Sequence, residues 1–157
     1  MYKKILVPHA GTPAGDESLK HAIHIAKTSS SSKIVLLHIV EEITYPPSFA
    51  LSSSERKSLF KSVDDANESI RKDMEKEMEV REKRCKESNL ESKIIVSIGD
   101  AAETILDIVK EKKIDLIVMA KRRKLKGIKK LLSLGSVSRK VVENVSCPVV
   151  LIDIENL

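Results

Sequence analysis

Lys4-Ile5-Leu6-Val7-Pro8, followed by His9-Ala10-Gly11-Thr12-Pro13-Ala14-Gly15-Asp16, decides the fold class. An apolar run ended by proline reads as a strand buried on both faces, and the turn formers after it separate that strand from a helix. The helix carries Leu19, Ala22, Ile23, Ile25 and Ala26 at i, i+3, i+4 spacing. Ser29 to Ser32 make a short linker. Ile34-Val35-Leu36-Leu37-His38-Ile39-Val40 is then a second buried strand, too short and too β-branched to favour a helix.

The alternation recurs downstream. Glu41 to Ser54 is a long connection carrying Pro46-Pro47. From Ser54 to about Glu87 the pattern is helical, with Phe60, Val63, Ile70, Met74, Met78 and Cys85 near one stripe. That helix either packs one face on a sheet or serves as a coiled-coil partner. Ile94-Ile95-Val96-Ser97 is a third strand. Asp100 is placed to cap the next helix, with Glu103 completing a capping box and Ile105, Leu106, Ile108 and Val109 on the buried face. Asp115-Leu116-Ile117-Val118-Met119 is the fourth strand. After a basic loop, Ser136 can cap a helix running through Val142, and Pro148-Val149-Val150-Leu151-Ile152 is the last strand.

Strands that alternate with helices require right-handed crossovers and a parallel sheet covered on both sides. The expectation is an α/β chain: one open five-stranded parallel sheet with helices on both faces, Rossmann-like, spanning 1–157 as a single domain. Ligands of such sheets bind beyond the carboxyl ends of the strands, where strand order reverses. Pro8 to Thr12, Val40-Glu41 and Met119-Ala120 lie at those ends.

The composition agrees. The 157 residues are 41% hydrophobic and 32% charged, an ordinary globular balance. No apolar run approaches the ~20 residues that span a bilayer. The first residues are too soon broken by Pro8 to read as a signal peptide. Cys85 and Cys147 are far apart, which argues against a disulfide framework or a zinc knuckle, and Cys147 reads as a small buried hydrophobe. These readings place the chain in the cytoplasm with no membrane partner. Lys plus Arg is 28 and Asp plus Glu is 23, for a net charge of +5. With only two Tyr, two Phe and no Trp, stacking platforms for single-stranded nucleic acid are scarce, and nucleic acid is an unlikely partner.

Several stretches together resemble the universal stress protein family: Lys4 to Pro8, Leu19-Lys20-His21-Ala22, Leu36 to Val40, Gly99 to Ile105 and Asp115 to Met119. Most specific are Leu134-Gly135-Ser136-Val137-Ser138-Arg139-Lys140-Val141 and Cys147-Pro148-Val149-Val150-Leu151-Ile152. The resemblance runs from Tyr2 to Ile154. It implies the strand order 3-2-1-4-5 and a homodimer through the last strand, Pro148 to Ile154.

Family members divide into those that bind ATP or AMP and those that do not. In the binders, glycines let the backbone approach the phosphates, and a Gly-Ser at a helix start presents N–H groups to anions. Gly135 and Ser136 keep that end of the motif. Ala120 and Arg123 stand where the family has its two earlier glycines, and Lys124 to Leu134, eleven residues, is a longer spacer than the family pattern. Ala10 replaces the family's ribose-binding Asp after the first strand, with Thr12 remaining as a hydroxyl. On this resemblance the base would lie near Ile39, Met119 and the backbone of Pro8, His9 and Ala10. Phosphates would meet Gly135, Ser136, Val137 and Ser138, with Arg122 and Arg123 adding charge. Mg²⁺ would enter only with ATP.

Lys121 to Lys130 carries seven basic residues. It reads as a solvated surface, as a phosphate clamp, or as a patch for an acidic protein partner or nucleic acid. His9 reads as a structural hydrogen-bonding residue or ligand contact, with a general base as the alternative. His21, His24 and His38 read as packing or surface residues. No Walker A, G-x-G-x-x-G or G-x-S-x-G pattern is present. The leading reading is a cytoplasmic, homodimeric binding protein of the stress response, at most a weak ATPase. Its rival is a dimeric interaction module without nucleotide.

Overall fold

Ile5, Leu6 and Val7 are each 0% exposed, which a strand achieves only between two neighbours and beneath helices on both faces. The computed structural model describes residues 1–29, 31–121 and 135–153. Its elements run β1 (Lys4–Pro8), α1 (Pro13–Ala26), β2 (Lys33–Val40), α2 (Ser53–Glu87), β3 (Glu91–Ile98), α3 (Ala101–Lys112), β4 (Leu116–Lys121), α4 (Ser136–Asn144) and β5 (Val149–Asp153). The strands form one parallel sheet in the order β3-β2-β1-β4-β5, with β1 in the middle.

Side chains alternate between two cores. On one face Ile5, Val7, Ile34, Leu36 and Val118 pack beneath Leu19 and Ala22 of α1 and Met78 and Cys85 of α2. On the other, Leu6, Leu37, Ile117 and Met119 pack beneath Ile105 and Val109 of α3 and Val141 of α4. Pairing is uneven across the sheet. β1 matches β2 from Lys4↔Lys33 to Pro8↔Leu37, and β4 matches β5 from Ile117↔Val149 to Lys121↔Asp153. Between β1 and β4 only Ile5↔Leu116 and Leu6↔Ile117 are in register. The amino end of that seam is pinned, because both Asp115 carboxylate oxygens accept backbone N–H groups, from Lys3 at 2.9 Å and Lys4 at 3.1 Å. Beyond Leu6 no further matched pair joins the two strands.

Several boundaries differ from the sequence reading. β3 begins at Glu91 rather than Ile94, since the polar Glu91-Ser92-Lys93 pairs with β2 along the sheet edge. Asp115 precedes β4 and clamps β1 instead of joining the strand. In α2 the buried positions are Val63, Asn67, Met78, Glu82 and Cys85, while Ile70 is exposed and leaves the expected stripe. Asp100 caps α3 by accepting from the Glu103 N–H at 2.9 Å, but the reciprocal half of the capping box is not made. The Glu103 carboxylate instead takes Lys140 Nζ from α4 at 3.1 Å, an interhelical pair that outcompetes the local one. Cys147 is half-buried rather than fully enclosed.

Candidate nucleotide cleft at the sheet reversal

β1 leaves the sheet at Pro8 and turns through His9, Ala10 and Gly11 into α1. Gly11 has φ +72°, a left-handed conformation that glycine adopts without cost. Thr12 ends the turn as the N-cap: its Oγ1 accepts the Gly15 N–H at 3.4 Å, and Pro13 follows in the first helical turn. The hydroxyl expected near a ribose therefore already has one task, although Thr12 is exposed.

His9 is held from all sides. Its ring is buried, and Gly15 lies so close that a Cβ there would stand 2.7 Å from Nδ1. The Gly11 N–H donates to Nδ1 at 3.0 Å, so Nδ1 carries no proton and Nε2–H donates to Asp16 Oδ1 at 3.1 Å. Burial and the nearby Arg81 guanidinium push the pKa down to about 4, against the pull of Asp16, and the ring is neutral at pH 7. The His9 backbone is also engaged: its N–H donates to Leu37 O at 2.8 Å, and its carbonyl accepts His38 Nδ1–H at 2.7 Å. With both ring nitrogens hydrogen-bonded and the side chain buried, the imidazole is tied into the turn and offers no free nitrogen to a ligand. His38, buried in β2, is its partner.

Asp16 gathers more than the histidine. Arg81 Nε donates to the same Oδ1 at 3.1 Å and Arg84 lies 3.5 Å away, while Arg81 Nη2 reaches the Gly11 carbonyl at 3.3 Å. This cluster ties the β1–α1 turn to α2. Asp16 stood in the sequence only as a turn former, and nothing there pointed to Arg81, 65 positions away. Asn67 was missed too, since a polar residue inside a helix carries no signal of burial.

Across the seam, Met119 is buried and Ala120 half-buried at the end of β4. Ile39 is half-buried on β2 and packs toward the same core as Met119. Because α4 leads into the parallel strand β5, its amino terminus stands at this same carboxyl end. Gly135, not Ser136, is its N-cap, with φ −58° and ψ 156° and no side-chain cap hydrogen bond. Ser136 is the first helical residue and exposed, Val137 is half-buried, and Ser138 is buried. Among the described residues no side chain accepts from this helix start, and free N–H groups at a helix start are the arrangement that binds anions. Lys121 Nζ lies 3.6 Å from Asp153, across β4 and β5. Arg122, Arg123 and the rest of the basic loop to Lys130, together with Ile154 of the expected dimer strand, fall outside the described residues.

Among the described residues no group of three or more His, Cys, Asp or Glu is placed to hold a metal. Burial pushes the Cys85 thiol up to about 11, so it is inert at pH 7. A cavity of about 160 Å³ lies at the opposite, amino end of the sheet. Two of its cations are already engaged, Lys33 by Glu91 at 2.6 Å and Lys4 by the Lys112 carbonyl at 2.8 Å.

This sheet order, with a helix start at the carboxyl ends of the strands, is the frame in which the comparisons place the chain. The chain belongs to the universal stress protein family, whose model matches residues 1–153. It is 29% identical over 152 residues to universal stress protein YxiE of Bacillus subtilis, covering 97% of this chain and 99% of that protein. The fold matches the hypothetical protein MJ0577 with a TM-score of 0.79 at 24% identity, covering 100% of this chain and 99% of the other. Two further universal stress proteins of this fold were solved with ligands. One is from Arabidopsis thaliana with AMP bound (TM-score 0.58, 19% identity, 96% of this chain and 91% of that one). The other is in complex with cAMP (TM-score 0.58, 18% identity, 97% of each chain).

Proposed function

We propose that this universal stress protein binds an adenine nucleotide, ATP or AMP, in the crevice between the carboxyl ends of β1 and β4, and acts as a non-catalytic binding protein. The observation that carries the reading is the amino terminus of α4. Among the described residues the N–H groups of Ser136, Val137 and Ser138 meet no side-chain acceptor, at the end where β1 and β4 make no further pairs. A phosphate supplies the missing acceptor. The base would rest against Ile39 and Met119, and the exposed backbone at Ala10 would edge the ribose. Ala10 brings no carboxylate, and Asp16 is committed to His9 and Arg81, so affinity falls mainly to the phosphates. Mg²⁺ would arrive with ATP and be held by its phosphates. AMP and cAMP in relatives of the same fold support the nucleotide class.

Calorimetry with AMP and ATP tests this, with Gly135→Asp as the variant. The backbone at 135 is extended, so an aspartate there caps the helix with its own carboxylate and competes for the same N–H groups. The variant should bind nucleotide at least tenfold more weakly while its Tm stays level or rises. Absence of heat with millimolar ATP in the unsubstituted chain overturns the reading.

The molecule is further proposed to work as a homodimer through β5, in the cytoplasm. Support for the first is the place of β5 at the sheet edge, paired with β4 alone among the described strands. Consistent with the second, no helix among the described residues is long and apolar enough to cross a membrane.

A further inference from the structure

α3 leaves the outer part of one sheet face bare. To join β3 to β4 it crosses β2 and β1, which stand between them, and its Ile105 and Val109 cover Leu6 and Leu37. β3, at the edge, keeps Glu91 and Lys93 exposed and Ile95 half-buried. Side chains alternate along a strand, so Lys4, Lys33 and Val35 share this face with Glu91, Lys93 and Ile95. Register sets Lys33 beside Glu91 and Val35 beside Lys93.

Lys112, in the last turn of α3, adds the remaining side. β1, β2, β3 and α3 together form the walls of the half-enclosed cavity of about 160 Å³ at the amino end of the sheet. Val35, only 7% exposed, and Ile95 make part of it apolar. The hollow is concave because three neighbouring strands and a helix meet there. Its shape is set by the core packing and is present before any ligand arrives, which lowers the entropy cost of binding.

Charge around the cavity has one sign in excess. Among the described residues Lys4, Lys33, Lys93 and Lys112 line it, against the single carboxylate of Glu91. Glu91 neutralises Lys33, and the Lys4 ammonium holds the Lys112 carbonyl. The ammonium groups of Lys93 and Lys112 have no ion-pair or hydrogen-bond partner among the described residues. Two cations beside an apolar wall are thus left without a counter-charge.

We propose that this cavity binds a small organic monoanion, an apolar body the size of one ring carrying a single carboxylate. Apolar cavities of about 150 Å³ take up benzene, so the volume admits one ring and little more. Val35 and Ile95 would cover the ring, and Lys93 and Lys112 would hold the carboxylate through charge-assisted hydrogen bonds. A dianion fits less well, because the carbonyls that end α3 give this side of the cavity a partial negative charge. The site lies at the other end of the sheet from the nucleotide crevice and shares no residue with it, so it stands or falls separately.

The test is titration of the full ¹⁵N-labelled chain with benzoate, read by amide chemical shifts. The amides of Val35, Lys93, Ile95 and Lys112 should move together and saturate at millimolar benzoate or below. Benzyl alcohol, which keeps the ring and lacks the charge, should bind about fivefold more weakly or worse, and benzylamine more weakly still. The pair Lys93→Gln with Lys112→Gln should weaken benzoate about fivefold or more at unchanged Tm, since neither side chain has a partner to lose. No saturable movement of these amides at tens of millimolar benzoate, or movement confined to the carboxyl ends of the strands, overturns the proposal. Equal binding of benzyl alcohol, or affinity indifferent to the lysine pair, overturns it as well. Phenyl phosphate binding more tightly than benzoate would make this a phosphate site and overturn the monoanion.

Discussion

His9 shows how completely one buried side chain can be specified by its neighbours. Its ring accepts from Gly11, donates to Asp16 and rests on a glycine with no room for a methyl group. A histidine held near a pKa of about 4, below its ordinary 6.5, is neutral when folded and takes up a proton more readily when unfolded. Stability is therefore fully present above about pH 6.5 and is lost as pH falls toward 4, by up to roughly 3 kcal/mol from this residue. In urea unfolding at pH 7 and pH 4.5, His9→Gln should lose less on acidification than the unsubstituted chain, since glutamine keeps a donor for Asp16 and does not titrate. Parallel losses in the two proteins would reject the assignment. The sequence placed His9 at the strand end and favoured a structural hydrogen-bonding residue or a ligand contact over a general base. Its partners were hidden, because Arg81 comes from another element and only folding brings it near.

Among the elements, all nine of those described were visible as alternating apolar runs and helical stripes, and their ends were less so. Glu91-Ser92-Lys93 is polar because an edge strand needs only one buried neighbour, and the same pattern in a sequence reads as a loop. Ser136 looked like a cap because serine favours that position, yet the preceding Gly135 takes it. The stripe on α2 was drawn through Ile70 although helix burial there passes to Asn67, whose amide reproduces a backbone pairing with Ile43. Leaving such a backbone group unsatisfied costs ~1–3 kcal/mol. Asn67→Ala should thus free residues 41–51, and amide exchange at Ile43 should quicken about tenfold or more. The amides around Met78, which the core covers, should keep their protection. Equal acceleration at both places would mean that the helix as a whole has loosened.

For the whole molecule, the parallel α/β class follows from alternation alone, whereas the strand order came from resemblance, since periodicity does not say which strands are adjacent. β5 closes one side of the sheet with Val149, Val150, Leu151 and Ile152 only half-buried and its outer backbone edge unpaired among the described residues. An apolar open edge is a pairing surface. Light scattering should return twice the 17.5 kDa chain mass at micromolar concentration, and a monomer there would remove the proposed dimer. One property of the seam reaches further. Two matched pairs and the Asp115 clamp fix β1 and β4 at their base, at the end of the sheet away from the motif residues. Substitutions at the rim can therefore change what the proposed crevice takes without asking the scaffold to fold differently.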